Sequence, residues 1–172
     1  MLWGFFKKVV IADRLSLYVD PVYNNYQDYH FINIIIACVF FAFQIYADFS
    51  GYSDIALGTA RIMGFNLMIN FDRPFESKNV TEYWRRWHIS LSSWLKDYLY
   101  TPIALARRNW GIYGILFALI VTLFISGLWH GAAWRFIIYG CLQGVAICLE
   151  LITKKQRKKI SKKIPRSNIQ NF

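Results

Sequence analysis

Two histidines stand where chemistry is expected: His88 in W-R-R-W-H-I-S-L-S and His130 in G-L-W-H-G-A-A-W. His130 closes a 19-residue uncharged run, 111–129, which puts it at or within the edge of a bilayer. Ionisable groups at that depth are costly, and by default they face a protein interior or a water-filled cavity and mark a functional site. Imidazole is half-titrated near neutral pH, so it suits general base work. The competing reading of His130 is an interfacial ring between the belt tryptophans Trp129 and Trp134. For His88 it is a harmless exposed position on an amphipathic helix. Gly127 and Gly131 serve either a tight helix end or close access of a substrate to the imidazole. No nucleophile elbow, phosphate loop or zinc spacing accompanies the histidines. Base-assisted transfer onto a hydroxyl is therefore the chemistry best suited to them.

The elements that must carry these residues are helices in a membrane. Hydrophobic residues make up 56% of the 172 and aromatic residues 19%. They gather into three runs, 31–47, 111–129 and 136–152, of the length a spanning helix needs. In lipid only helices and closed barrels satisfy their backbone, and no period-2 alternation suggests a barrel. The expected class is all-α: a polytopic helical membrane protein with about three membrane-spanning helices plus an amphipathic or re-entrant helix. Met1-Leu2-Trp3-Gly4-Phe5-Phe6 precedes Lys7-Lys8, the wrong order for a secretory signal.

Residues 2–19 are expected to form a short helix that Pro21 stops. Ala47, Gly51 and Gly58 recur near helical spacing beyond the first span and would let helices approach closely. Asp54 and Arg61, seven apart on one face, could pair directly or through neighbours, and buried ion pairing is a better reading than a metal site for Asp48 and Asp54. Asn79 with Glu82 three residues on resembles a capping box. From there Val80, Trp84, Trp87, Leu91, Trp94 and Tyr98 repeat at spacings of 4, 3, 4, 3 and 4, which predicts one amphipathic helix over 79–100 with His88 on the margin of its stripe. Pro102 and Arg107-Arg108 end that unit. Cys38, Cys141 and Cys148 show no metal spacing and read as apolar packers.

Of the net charge of +10, the segment 153–172 carries +8 with no acid. Directly after an apolar helix, such a run is a cytoplasmic topology determinant with affinity for anionic lipid, and a nucleic-acid role is excluded. Arg107-Arg108 share its side, and the His130 turn faces the other. Simple topology thus sets His88 and His130 near opposite faces of the membrane. They share a site only if the 79–100 segment dips inward or a funnel reaches in from outside.

W-G-F-F-K-K-V-V-I-A-D (3–13), Y-A-D-F-S-G-Y-S-D-I-A-L-G-T-A-R-I-M-G-F-N (46–66), N-F-D-R-P-F-E-S-K-N (70–79), Y-W-R-R-W-H-I-S-L-S-S-W-L-K-D-Y-L-Y (83–100) and G-L-W-H-G-A-A-W (127–134) carry a further signal. At these residues the chain resembles the membrane-bound O-acyltransferase family, in the branch of alginate O-acetyltransferases. The D-alanyl transfer proteins for teichoic acids share the histidine motifs. The resemblance implies that His130 matches the family's catalytic histidine and His88 its second active-site position, with Trp87, Trp129 and Asp97 as supporting residues and no metal. It implies a tunnel with an acyl thioester entering from the cytoplasm, acetyl-CoA as donor, no tightly bound cofactor, and an acceptor approached from outside. It also implies an extracytoplasmic acetyl-carrier partner and a polysaccharide acceptor. Family members are longer, so the chain is expected to be the C-terminal, histidine-bearing part of one. The loop T-P-I-A-L-A-R-R-N-W-G departs from the glycine-rich form common in the family.

The expected organisation is a partial catalytic membrane domain over 1–152 and a basic cytoplasmic tail over 153–172. The expected function is O-acetylation of an exported polysaccharide at the bacterial inner membrane. The alternatives are D-alanyl transfer to teichoic acid, or a non-catalytic scaffold or conduit of a surface-polysaccharide complex.

Overall fold

The computed structural model describes residues 1–131 and 133–163, and among these there are helices and no strands. Three helices are long and apolar enough to cross a membrane: Phe31–Ile62, Ile112–His130 and the first 26 residues of a third that starts at Trp134. The chain divides into two compact units, Met1–Asp72 and Arg73–Phe172.

In the first unit, α1 (Leu2–Phe5), a π-helical stretch (Phe6–Ala12) and α2 (Asp13–Asn24) run on from one another and pack along α3 (Phe31–Ile62). Pro21 does not stop α2, as expected from sequence, but lies inside it. The proline forfeits one hydrogen bond within a turn of the helix end. Its own carbonyl accepts the Asn25 N–H (3.1 Å), so the last turn still closes. α3 is a single helix of 32 residues, about 48 Å long at 1.5 Å per residue, well beyond a hydrocarbon core of about 30 Å. Its buried face is built of small residues: Ala37, Ala47, Ser50, Gly51, Ser53 and Ala60. A Cβ on Gly4 would lie 2.6 Å from the Gly51 carbonyl oxygen, so the two backbones touch there.

The charges in this unit pair differently from the expectation. Asp54 meets Lys7, not Arg61: Lys7 Nζ lies 2.6 Å from its carboxylate and donates to Ser50 Oγ at 3.0 Å. Lys8 donates to Asp48, a bond that raises the lysine's proton affinity above its ordinary value. The two lysines of K-K-V-V-I-A-D thus neutralise the two aspartates that interrupt the apolar helix.

In the second unit, α7 (Ile112–His130) and α8 (Trp134–Lys163) form a tight hairpin. A Cβ on Gly127 would collide with the Phe136 carbonyl oxygen, and one on Gly140 with the Leu123 carbonyl oxygen. These two glycines are what lets the helices close. Gly127→Ala is therefore expected to cost about 1–3 kcal/mol through backbone displacement, measured as a lower denaturation midpoint in detergent micelles. An unchanged midpoint would mean that the hairpin opens without penalty. α8 does not stop where the apolar run stops. It continues through Lys163, carrying the first part of the basic segment, while 164–172 lie outside the described residues.

The segment expected as one helix over 79–100 is bent. α4 (Val80–Arg86) and α5 (Ile89–Leu95) are separated at Trp87 and His88. Beyond α5 the helix passes through a π turn (Lys96–Tyr100) and α6 (Thr101–Ala106), so it ends later than the proline suggested. Pro102 lies inside this continuous helical run, at the junction of the π turn and α6, and leaves one carbonyl of the preceding turn without its helical donor.

Candidate active site

The site is assembled from the bend and the hairpin tip. α4 opens on a capping box as expected: Glu82 N–H donates to Asn79 Oδ1 at 2.8 Å, and the Glu82 carboxylate accepts the Lys78 N–H at 3.0 Å. Glu82 also takes Arg86 at 2.8 Å, and these bonds hold its carboxyl below the usual range. Trp87 is extended (φ −107°, ψ 128°), and His88 is left-handed (φ 44°, ψ 58°), a conformation that residues with a Cβ seldom adopt.

Local bonds satisfy the backbone through the bend. Trp87 N–H donates to Tyr83 O (2.9 Å), Ser92 N–H to His88 O (2.9 Å) and Ser92 Oγ to Trp87 O (3.1 Å). Ser92, the second serine in W-H-I-S-L-S, thus does for the bend what a capping residue does for a helix end.

α4 lies along α8, whereas the π turn and α6 lie along α7. The partners of α4 step along α8 from its middle toward the hairpin tip. Thr81 meets Glu150 and Trp84 meets Gln143. Tyr83 lies near Tyr139, and together with burial that neighbour raises the Tyr83 hydroxyl well above its ordinary value. The apex of this V is His88, and it stands against the tip. The His88 ring centroid is 6.2 Å from that of Trp129, which is 4.9 Å from that of His130 and edge-on to it. The two histidines are thus brought to one place with Trp129 between them. The segment packs along both helices of the hairpin, and this packing is what lets the two rings meet.

His130 is the last residue of α7 and is exposed on its open side. Gly131 (φ 150°) turns the chain away at once, and a side chain there would strike the Phe136 ring at 2.9 Å. The Phe136 ring lies 6.3 Å from the imidazole. Of the expected supporting residues, Trp87 stacks on Tyr83 (5.6 Å between centroids, 16° between planes) and backs the bend. Trp129 forms the wall between the imidazoles. Asp97 stands apart, exposed on the π turn. Glu150, Gln143 and Tyr83 were not singled out by sequence. The available signal was a Gln and a Glu seven apart in an apolar helix, hence on one face.

His88 is half-buried, and its proton affinity is lowered, first by burial and then by His130. The ring is therefore neutral at pH 7. In the unfolded chain it takes up a proton near its ordinary value of 6.5, in the folded chain only at lower pH. Stability is thus lost as pH falls from 6.5 toward the folded value. A denaturation midpoint that declines over this window, with a decline flattened by His88→Gln, is the expected result. An identical decline in the variant would assign the effect elsewhere.

Residues 3–170 match the profile of the membrane-bound O-acyltransferase family. A probable alginate O-acetylase of Azotobacter vinelandii is 44% identical over 147 residues, which cover 86% of this chain and 29% of that protein. A peptidoglycan O-acetyltransferase of Helicobacter pylori is 42% identical over 84% of the chain and 27% of its own length. A teichoic acid D-alanyltransferase of Streptococcus thermophilus is 32% identical over 71% of the chain and 31% of its length. The chain spans about three tenths of the length of these curated relatives.

Proposed function

Because this chain belongs to the membrane-bound O-acyltransferase family, we propose that it carries the histidine site of an enzyme that O-acetylates an exported polysaccharide at the bacterial inner membrane. The observation that supports this reading most is the meeting of His88 and His130 around Trp129. Two imidazoles at one end of a spanning hairpin suit acyl transfer onto a hydroxyl.

In this reading His130 takes the proton from the acceptor hydroxyl as the oxygen attacks the carbonyl carbon of an acyl thioester. His88 donates an N–H to the carbonyl oxygen, where negative charge gathers. The carbon–sulfur bond then breaks, and the His130 imidazolium returns its proton to the departing thiolate. Acetyl-CoA is the donor, reached from the cytoplasmic side that Arg107-Arg108 and the basic end of α8 mark by the positive-inside bias. The acceptor side is the His130 tip, where an extracytoplasmic carrier protein passes the acetyl group to the polysaccharide.

Acetyl is favoured over D-alanyl because the acetylating relatives stand at 42–44% identity and the D-alanyl relatives at 29–32%. The acetylating relatives are named for alginate and for peptidoglycan, so the acceptor class they share is a glycan hydroxyl. The test supplies membranes carrying the full-length protein with labelled acetyl-CoA or with a labelled D-alanyl thioester. Acetyl incorporation alone is expected. D-alanyl incorporation alone would replace the reading with teichoic acid modification, and neither would leave a conduit.

A further inference from the structure

We infer that Glu150, with Gln143 two turns before it on the same face of α8, is a positioning residue that sets His88 against the hairpin tip. This inference rests on the proposed acyl transfer. Both side chains interrupt a helix that otherwise has the composition of a lipid span, where a polar group is expensive unless it has partners. Both have partners on α4. Glu150 Oε2 accepts the Thr81 N–H at 3.0 Å and the Thr81 hydroxyl at 3.2 Å. Its other oxygen lies 3.7 Å from the Arg157 guanidinium, and the carboxylate is only 12% exposed. Gln143 Oε1 accepts the Trp84 indole N–H at 3.2 Å.

These bonds matter because α4 cannot place itself. A helix of seven residues has too few internal hydrogen bonds to be stable alone, so its position comes from what it is tied to. Glu150 ties its first turn and Gln143 its second. Two residues after α4 ends, the chain turns through left-handed His88, a conformation that persists only when both flanks are held. The downstream flank is held on α7 by the π turn and α6. The upstream flank is held on α8 by Glu150 and Gln143. Both residues grip α4, through Thr81 and Trp84, so their effect reaches His88 through the position of the bend.

The experiment compares Glu150→Ala and Glu150→Gln in the full-length protein in membranes, each with and without His88→Ala, at matched insertion. Glu150→Ala is expected to lower kcat about tenfold to a hundredfold, the scale of a small misplacement of a catalytic group, with KM little changed. Glu150→Gln keeps an acceptor for Thr81 and recovers most of the rate. In the His88→Ala background, Glu150→Ala adds less than about twofold, since no ring remains to misplace. An equal loss in both backgrounds, or a kcat unaffected by Glu150→Ala, would overturn the assignment.

A second readout does not depend on transfer. In ¹³C-labelled histidine spectra the His88 titration midpoint is expected to move up toward 6.5 in Glu150→Ala and to stay in place in Glu150→Gln. A midpoint unmoved in Glu150→Ala would also overturn the assignment. Transfer that persists in His130→Ala would instead defeat the proposed function, with the spectra still deciding whether Glu150 sets His88.

Discussion

Replacing His130 with alanine is expected to lower acyl transfer by about 10²–10⁴-fold, the range that a positioned general base supplies. Its position is created by neighbours that the substitution leaves in place. Gly131 still turns the chain, Phe136 still packs at the tip, and Gly127 and Gly140 still close the hairpin. Insertion and thermal stability of His130→Ala should therefore match the parent, since an exposed ring at a helix end buries little. The loss should appear in kcat rather than in KM, because the proton is taken only as the new bond forms. His88→Ala is expected to fall less far, since the polarisation it supplies is partly replaced by water in an open site. Transfer undiminished in His130→Ala, with normal insertion, would make the residue an interfacial aromatic and bring a conduit role forward.

The second large effect concerns stability and lies in the other unit. Lys7→Met is expected to destabilise by about 3 kcal/mol, the lower end for breaking a buried ion pair. The lower end applies because the lysine side chain is 11% exposed but its partner Asp54 is 33% exposed. The substitution also leaves Ser50 Oγ without the ammonium donor. Asp54→Leu alone strands the lysine in the same way. The double variant Lys7→Met/Asp54→Leu should be more stable than the sum of the two losses predicts, because neither charge is left without its partner. Denaturation midpoints of the four proteins in mixed micelles measure the coupling. Losses that simply add would mean that the pair is held apart by water and contributes nothing as a pair.

The two units differ in how far their arrangement can be read from residues alone. Lys7 and Lys8 were visible as a basic step before the first span, and Asp48 and Asp54 as breaks within it. Spacing along one helix pointed from Asp54 to Arg61, because intrahelical neighbours are the only ones that a sequence reports directly. The actual partner comes from a segment more than forty residues away that packs along α3. In the same way, Glu150 was counted with an apolar run although its carboxylate holds Thr81. Both partners were out of reach for one reason: the face of a helix follows from periodicity, but what covers that face does not.

The helical membrane class, the three spans, the small-residue face of α3, the capping box at Asn79 and the two histidine motifs are legible in the residues alone. These follow from composition over about twenty residues or from contacts within one turn, where the chain supplies its own neighbours. Only the tertiary structure decided that His88 meets His130. The aromatic stripe from Val80 to Tyr98 keeps its spacing of three and four on either side of the bend, so periodicity cannot distinguish a straight helix from a broken one. What breaks it is the pull of two different partners, α8 on α4 and α7 on the π turn and α6. The Ser92 bonds then make the left-handed turn between them tenable. The chemistry was written in residue types, and the place where it happens was set by which helix each half of the segment could pack against.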